Sequence, residues 1–197
     1  MTAPPGCRTV PALITPAERR VLREEARAVH GSAEQRRRDD FQLVDGWQLL
    51  GPVRNSVASA GDAHAAVHRR MVDRFAGLVR PGLGPTLSCY LYYDTGDFVG
   101  LHLDQERCHY DVLVVLDGEP GPLCVHPELA RTPPQRLAVM AAAGIPEPGS
   151  PASLRAGPLV LAGRATPHHR PAHRGPATLT IAAFCFGPLS DGRPTSG

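Results

Sequence analysis

A succession of short apolar runs, beginning at Thr86, constrains the fold more than any other feature of the chain. "TLSCYLYY", "FVGLHL", "HYDVLVVL", "PLCVHP", "GPLVLAG" and "ATLTIAAFCF" follow one another with Gly, Pro and Asp in the gaps. The runs are rich in β-branched and aromatic residues and too short for buried helices, so they are expected to be strands of a tightly wound sheet. The exception is "PQRLAVMAAAGIPEPGSP", read as a short helix or excursion inserted between strands.

Helical patterns precede the strands. In "TPAERRVLREEARAVHG", Thr15 is placed to cap a helix, Pro16 suits its first turn, Glu18 completes a capping box and Gly31 marks the stop. Val21, Leu22, Ala26 and Val29 form its apolar stripe. A second helix is expected over 62–80, where Val67, Met71, Phe75 and Leu78 recur at helical spacing. Between the helices "FQLVDGWQLL" reads as a strand pair or edge segment, and residues 1–14 as an irregular lead-in. Helices first, then six or more close-spaced strands, predict an α+β domain: a β-sandwich or barrel with helices buttressing one side. A single domain is expected, with a helical part over 1–85, a β core over 86–187 and a flexible tail over 188–197.

Charge and cysteine content exclude several classes. All 21 basic residues are arginine and the net charge is only +2, which suggests GC-rich coding rather than nucleic-acid binding. "EQRRRDD", the densest basic run, reads as a solvated helix end. No apolar run approaches membrane-spanning length and no signal core opens the chain, so a soluble cytoplasmic protein is expected, binding neither nucleic acid nor membrane. The five cysteines are odd in number, widely spaced and without a CxxC pair, which predicts packing residues rather than a disulfide framework or structural zinc site. His64 and His68, at i and i+4 with no third ligand nearby, read as helix surface.

The chemistry points to "LHLD". Residues i and i+2 of a strand share a face, so His102 and Asp104 can reach one ion. A carboxylate and two imidazoles form the facial arrangement that holds non-haem Fe(II) with positions left open. The second imidazole has to come from a later strand folded beside the first, and His168, His169 and His173 lie between two apolar runs where such a return occurs.

Taken together, these residues resemble the catalytic jelly roll of the Fe(II)/2-oxoglutarate dioxygenases, the prolyl-4-hydroxylase-like branch in particular. "YDTG" at Tyr93, "HLD" at His102, the strand opened by Arg107, "GEPGPLCVHPE" and "RAGPLVLAG" stand in the family's order over residues 86–187. The resemblance implies a double-stranded β-helix (jelly roll or cupin-like) with N-terminal helices buttressing one sheet. It also implies Fe(II) on His102, Asp104 and a distal histidine, with 2-oxoglutarate as cosubstrate, O2 as co-reactant and hydroxylation of an unactivated C–H bond. The family places Pro four and Gly eight residues after the distal ligand. Counting back from Pro171 and Gly175 reaches Pro167, so a one-residue deletion makes the ligand His168, with His169 and His173 as alternatives. Tyr93 and Tyr110 are then expected in the cosubstrate pocket.

The family also carries an Arg or Lys on the last strand for the far carboxylate of 2-oxoglutarate, where this chain has Ala177 or Thr178. Arg170 or Arg174 is expected to replace it, with Arg164 a further candidate. The expected substrate is a small metabolite or carrier-tethered intermediate, chosen by the N-terminal segments and the 129–152 insertion. The uncharged last strand keeps open a cupin-like isomerase, lyase or oxygenase that does not use 2-oxoglutarate. A jelly-roll binding protein without catalysis is the third reading.

Overall fold

Thirteen strands and three α-helices make up the described residues of this computed structural model, which are 6–76, 82–144 and 149–188. The N-terminal part runs through β1 (Cys7–Thr9), α1 (Pro16–Val29), β2 (Glu34–Arg38), β3 (Gln42–Val44), β4 (Gln48–Leu50), β5 (Val53–Ser59) and α2 (Asp62–Ala76). Next come β6 (Leu83–Tyr93), β7 (Phe98–His102), β8 (Tyr110–Asp117) and β9 (Leu123–Val125). The chain continues with α3 (Pro134–Ala142), β10 (Ser150–Ala152), β11 (Leu159–Leu161), β12 (His168–Arg170) and β13 (Leu179–Pro188).

All strands but β3 and β4 belong to one antiparallel sheet that rolls almost closed. Its path is β1-β11-β8-β13-β6-β5, then β7-β12-β9-β10, with β2 added on β5. The change of layer falls at β5, which pairs with β6 through Ser56–Ser59 and with β7 through Val53 and Arg54. The β3–β4 hairpin is separate and turns at Asp45 and Gly46, both at positive φ. This is the mostly antiparallel jelly roll that the family resemblance implied, with helices on one face.

Strand alternation divides the core in two. On β6, β8 and β13 the even-numbered Tyr90, Tyr92, Val112, Val114, Ala182, Phe184 and Phe186 meet Leu22, Ala26, Val67, Met71 and Phe75 of the helices. The odd-numbered Tyr93, Leu113, Leu179, Ile181 and Ala183 face inward on Leu123, Val125, Leu159 and Leu161. The first core fixes the helices on the sheet, and the second forms the floor of the roll.

The helix ends are secured by carboxylates. The Thr15–Glu18 capping box forms, and the buried Glu18 carboxylate also accepts both Nη groups of Arg74 from α2, at 2.7 and 3.0 Å. These partners, Arg74 first, hold its pKa down to about 2. Glu25 of α1 caps the start of α2 by accepting from the Ala63 and His64 amides, and it also accepts from the Tyr90 hydroxyl.

Several expectations need correction. The lead-in contains β1, which extends the sheet by pairing with β11. "EQRRRDD" is no helix end: Glu34–Arg38 form β2, paired residue for residue with Val53–Val57. His64 and His68 are buried rather than exposed, their rings against Phe184 and Phe186, and burial lowers both pKa values to about 4. Cys108 and Cys185 are joined by a disulfide across 77 residues of sequence. The second helix is described to Ala76, so Leu78 lies outside the described residues, as do 189–197 of the expected tail. Pro188 belongs to β13.

Candidate metal centre

The roll encloses a cavity of about 750 Å³. β7 delivers His102 to its wall as the strand's last residue, and the chain then turns so that Asp104, two residues on, lies beside it. β12 pairs with β7 so that His168 sits opposite His102 in the ladder. Their ring centroids are 4.1 Å apart. The Nε2 atoms of His102 and His168 lie 3.7 and 3.6 Å from the same oxygen, Asp104 Oδ1. Those spans are too long for hydrogen bonds but suit ligands that share one ion.

Backbone carbonyls set both imidazoles. His102 Nδ1 donates to the Gly100 carbonyl and His168 Nδ1 to the Thr166 carbonyl, each at 2.9 Å and each two residues back. With Nδ1 carrying the proton, each Nε2 presents its lone pair to the space beside Asp104. Burial pushes His102 down to about 3, helped by His168, and His168 down to about 4. Both rings are therefore neutral at pH 7, the form that binds a metal.

The carboxylate between them is incomplete without a cation. Burial raises the Asp104 pKa, and its Oδ2 is buried with no hydrogen-bond partner among the described residues. Gly163 leaves the space for that oxygen: a Cβ there would overlap Asp104 Oδ2, while the Gly163 carbonyl accepts from the Asp104 amide. Two neutral imidazoles, one orphaned carboxylate and fixed tautomers fit a divalent metal with open positions.

A second group of polar atoms lies further along the cavity. Arg170, buried, lies over the Tyr93 ring with its guanidinium carbon 5.1 Å from the centroid. Arg170 Nη2 and the amide Nδ2 of buried Asn55 have no hydrogen-bond partner among the described residues. Asn55 Oδ1 accepts from Arg36 Nε of β2, and Asn55 lies between the cavity-lining Val53 and Val57 on the inward face of β5. These are two unpaired buried donors beside an aromatic ring, a suitable seat for a carboxylate.

The structure separates the remaining candidates. His169 points away from His168 and shares a hydrogen bond with His126, whose other nitrogen meets Glu128. His173 donates to the Ala177 carbonyl and, through its backbone, pairs with Gly96 and Asp97. Tyr93 lines the cavity, but Tyr110 faces the helices and meets Phe75 edge-on. Arg170 lines the cavity too, whereas Arg174 is exposed and does not. Arg164 is engaged with His109 and lies over Trp47. Thr178 is tied to Asp94, and the last strand gives the cavity Ile181 and Ala183. Sequence reading missed Asn55, Gly163, Arg36 and Asp111; the one available signal was a polar residue on the apolar face of "VRNSVAS".

Fold and site together define a double-stranded β-helix with a His–Asp–His group that could hold a metal ion, an architecture shared with solved 2-oxoglutarate-dependent iron oxygenases. Solved structures of that class superpose over nearly the whole chain. A prolyl-4-hydroxylase of Pseudomonas putida matches with a TM-score of 0.55, 15% identity and 94% of each chain covered. HygX of Streptomyces hygroscopicus, solved with nickel and 2-oxoglutarate, matches at 0.63 and 16%, over 94% of this chain and 84% of its own. SnoN, a non-haem α-ketoglutarate-dependent epimerase from nogalamycin biosynthesis, matches at 0.62 and 16%, over 98% and 86%. At these identities the likeness establishes the fold. No protein-family model and no curated protein matches the sequence.

Proposed function

We propose that the chain is a non-haem Fe(II)- and 2-oxoglutarate-dependent oxygenase that hydroxylates a small molecule or carrier-tethered intermediate. The observation that carries this reading is the meeting of His102, Asp104 and His168 in one cavity with Arg170, whose buried Nη2 is unpaired. His102, Asp104 and His168 hold the ion from one side, and the carbonyls of Gly100 and Thr166 keep both imidazoles in the ligating tautomer. Arg170 and Asn55 grip the far carboxylate of 2-oxoglutarate, with Tyr93 as the ring against which the cosubstrate is oriented. Leu113, Leu123, Ile181 and Ala183 keep water from the reacting centre. The iron, when bound, supplies the two-electron activation of O2 that an unactivated C–H bond requires. HygX was solved with nickel and 2-oxoglutarate, and SnoN is named for dependence on the same cosubstrate, which supports the assignment.

The test is an anaerobic titration with Fe(II) and then 2-oxoglutarate. A visible charge-transfer band saturating at one equivalent of each, followed in air by release of succinate and CO2, is expected. A reading without 2-oxoglutarate draws on the apolar Ile181 and Ala183 of the last strand. Substrate turnover that proceeds equally well without 2-oxoglutarate would select that reading and overturn ours.

A further inference from the structure

A second set of metal-type ligands lies in the same cavity, on the wall made by β8 and β13. Asp111 and Cys185 are direct cross-strand partners, and Cys108, three residues ahead of Asp111, is bonded to Cys185. One ligand atom from each of Cys108, Asp111 and Cys185 lies within 4.8 Å of the others. All three side chains line the same cavity as the triad. None of the three has a part in the oxygenase scheme.

The disulfide leaves this group chemically unbalanced. Asp111 Oδ1 is buried and has no hydrogen-bond partner among the described residues. A disulfide offers no proton and no positive charge, so burial, with the nearby Asp104, raises the Asp111 pKa well above the ordinary carboxylate range even though the Phe184 and Val112 amides reach the side chain. Reduction changes both partner and spacing. Two unbonded sulfurs separate to van der Waals contact, roughly 3.5–4 Å. Two thiolates on one tetrahedral zinc, each about 2.3 Å from the metal, need about 3.8 Å, so the reduced pair opens to the span a cation requires.

We propose that reduction of the Cys108–Cys185 bond by a small dithiol turns this wall into a second metal site, where both thiolates and the Asp111 carboxylate hold a soft divalent cation, zinc in preference to iron. The dithiol gives up two electrons and leaves as its own disulfide, and its two protons pass to the protein sulfurs. Cation binding then releases those protons to solvent. Three protein ligands leave the fourth position open to the cavity. The site is independent of the oxygenase reading and exists or fails without it.

Cobalt(II) is the probe, because thiolate ligation gives it an ultraviolet charge-transfer band that imidazole and carboxylate do not. Metal-free protein is divided into an oxidised sample and one reduced with dithiothreitol, freed of reductant under nitrogen, and each is titrated. The reduced sample is expected to gain the sulfur band and to take up one more cobalt per chain than the oxidised sample, which should lack the band. His102→Ala/Asp104→Ala, which disables the triad, should leave the band in place. Cys185→Ser and Cys108→Ser should each abolish it, and Asp111→Asn should weaken the affinity at least tenfold. If a serine variant fails to fold, as judged by circular dichroism, oxidised wild-type protein is the sulfur-blocked control. Reduced protein without the band overturns the proposal. So does a band that persists in a folded Cys185→Ser variant, where Cys89 would be the source, or one untouched by Asp111→Asn.

Discussion

Arg170 carries the largest functional burden assigned to one side chain beyond the ligands themselves. Its guanidinium is buried with an unpaired Nη2, and it stands two residues after His168, so in the proposed function the same short strand would supply an ion ligand and the anion anchor. A hydrogen bond to a charged group contributes about 1.5–3 kcal/mol. Arg170→Gln should therefore raise the dissociation constant for 2-oxoglutarate by about 10–100-fold. Fe(II) affinity, followed by anaerobic titration, should stay unchanged; a parallel loss of iron would place Arg170 in metal binding instead. Gly163 makes the opposite prediction. The methyl group of Gly163→Ala falls on Asp104 Oδ2, so Fe(II) affinity should drop by about 10–100-fold, the range found when a ligand's surroundings are disturbed. Retention of full iron affinity would show that Asp104 can ligate from another position.

At the scale of elements, the two helices are joined by one carboxylate. Glu18 closes the capping box of α1 and takes the fork of Arg74 from α2, so Glu18→Ala removes a cap and leaves a guanidinium without its partner. The expected loss is about 2–3 kcal/mol. Because the folded pKa is about 2 against an ordinary 4.5, this stabilisation is complete above pH 4.5 and disappears as pH falls through 2. Denaturant titrations from pH 5 to pH 2 should show a steeper acid loss for wild type than for Glu18→Ala. Parallel curves would mean that Arg74 contributes nothing through this carboxylate. The capping box was legible in the sequence because it is local: four adjacent residues contain both hydrogen bonds. β2 was not, since five mostly charged residues become a strand only by pairing with Val53–Val57. The buried pair was legible but misread: His64 and His68 continue the stripe of Val67, Met71 and Phe75, and their polarity concealed their position. The Cys108–Cys185 bond joins residues 77 apart, and only the β8–β13 register brings them together. His102 and Asp104 were readable as a pair because they stand two residues apart, although Asp104 lies past the end of β7, whereas choosing among three later histidines required the β7–β12 pairing.

Across the whole molecule, the cavity draws its apolar walls and its positive charge from different strands. β13 gives the cavity Ile181 and Ala183, and positive charge enters from Arg170 of β12 and from Arg36, Arg37 and Arg38 of β2. Among the described residues, none that lines the cavity comes from 129–152, whereas β2, β4 and β5 of the N-terminal part contribute several. This arrangement buries many ionisable groups, and stability should respond to pH accordingly. His64 and His68 are held neutral down to about 4, so the folded state resists protons that the unfolded chain takes up near 6.5. Stability should be full above pH 6.5 and fall as pH drops towards 4. Neither His64 nitrogen has a partner among the described residues, so His64→Leu should cost little at pH 8 and reduce the slope between pH 6.5 and 4. An unchanged slope would assign the acid sensitivity to the ligand histidines instead.

A metal held by His102, Asp104 and His168 would couple ion binding to folding. An ion that ties β7 to β12 binds the folded chain and not the unfolded one, where His102 and His168 are separated by 65 intervening residues of chain. Free metal at a hundred times its dissociation constant adds about 2.7 kcal/mol. For a chain of this length each kcal/mol moves the melting temperature by about 2–4 °C, so the expected rise is about 5–11 °C. Anaerobic Fe(II), or Ni(II) as a redox-inert substitute, should produce it, and a chelator should reverse it. The control is His168→Ala, which breaks the link between strands while leaving the ladder hydrogen bonds of β12 intact. That variant should melt at one temperature with or without metal. A wild-type shift that survives in His168→Ala would place the stabilising ion elsewhere, and repeating the measurement on oxidised and reduced protein would show whether it sits with Cys108, Asp111 and Cys185.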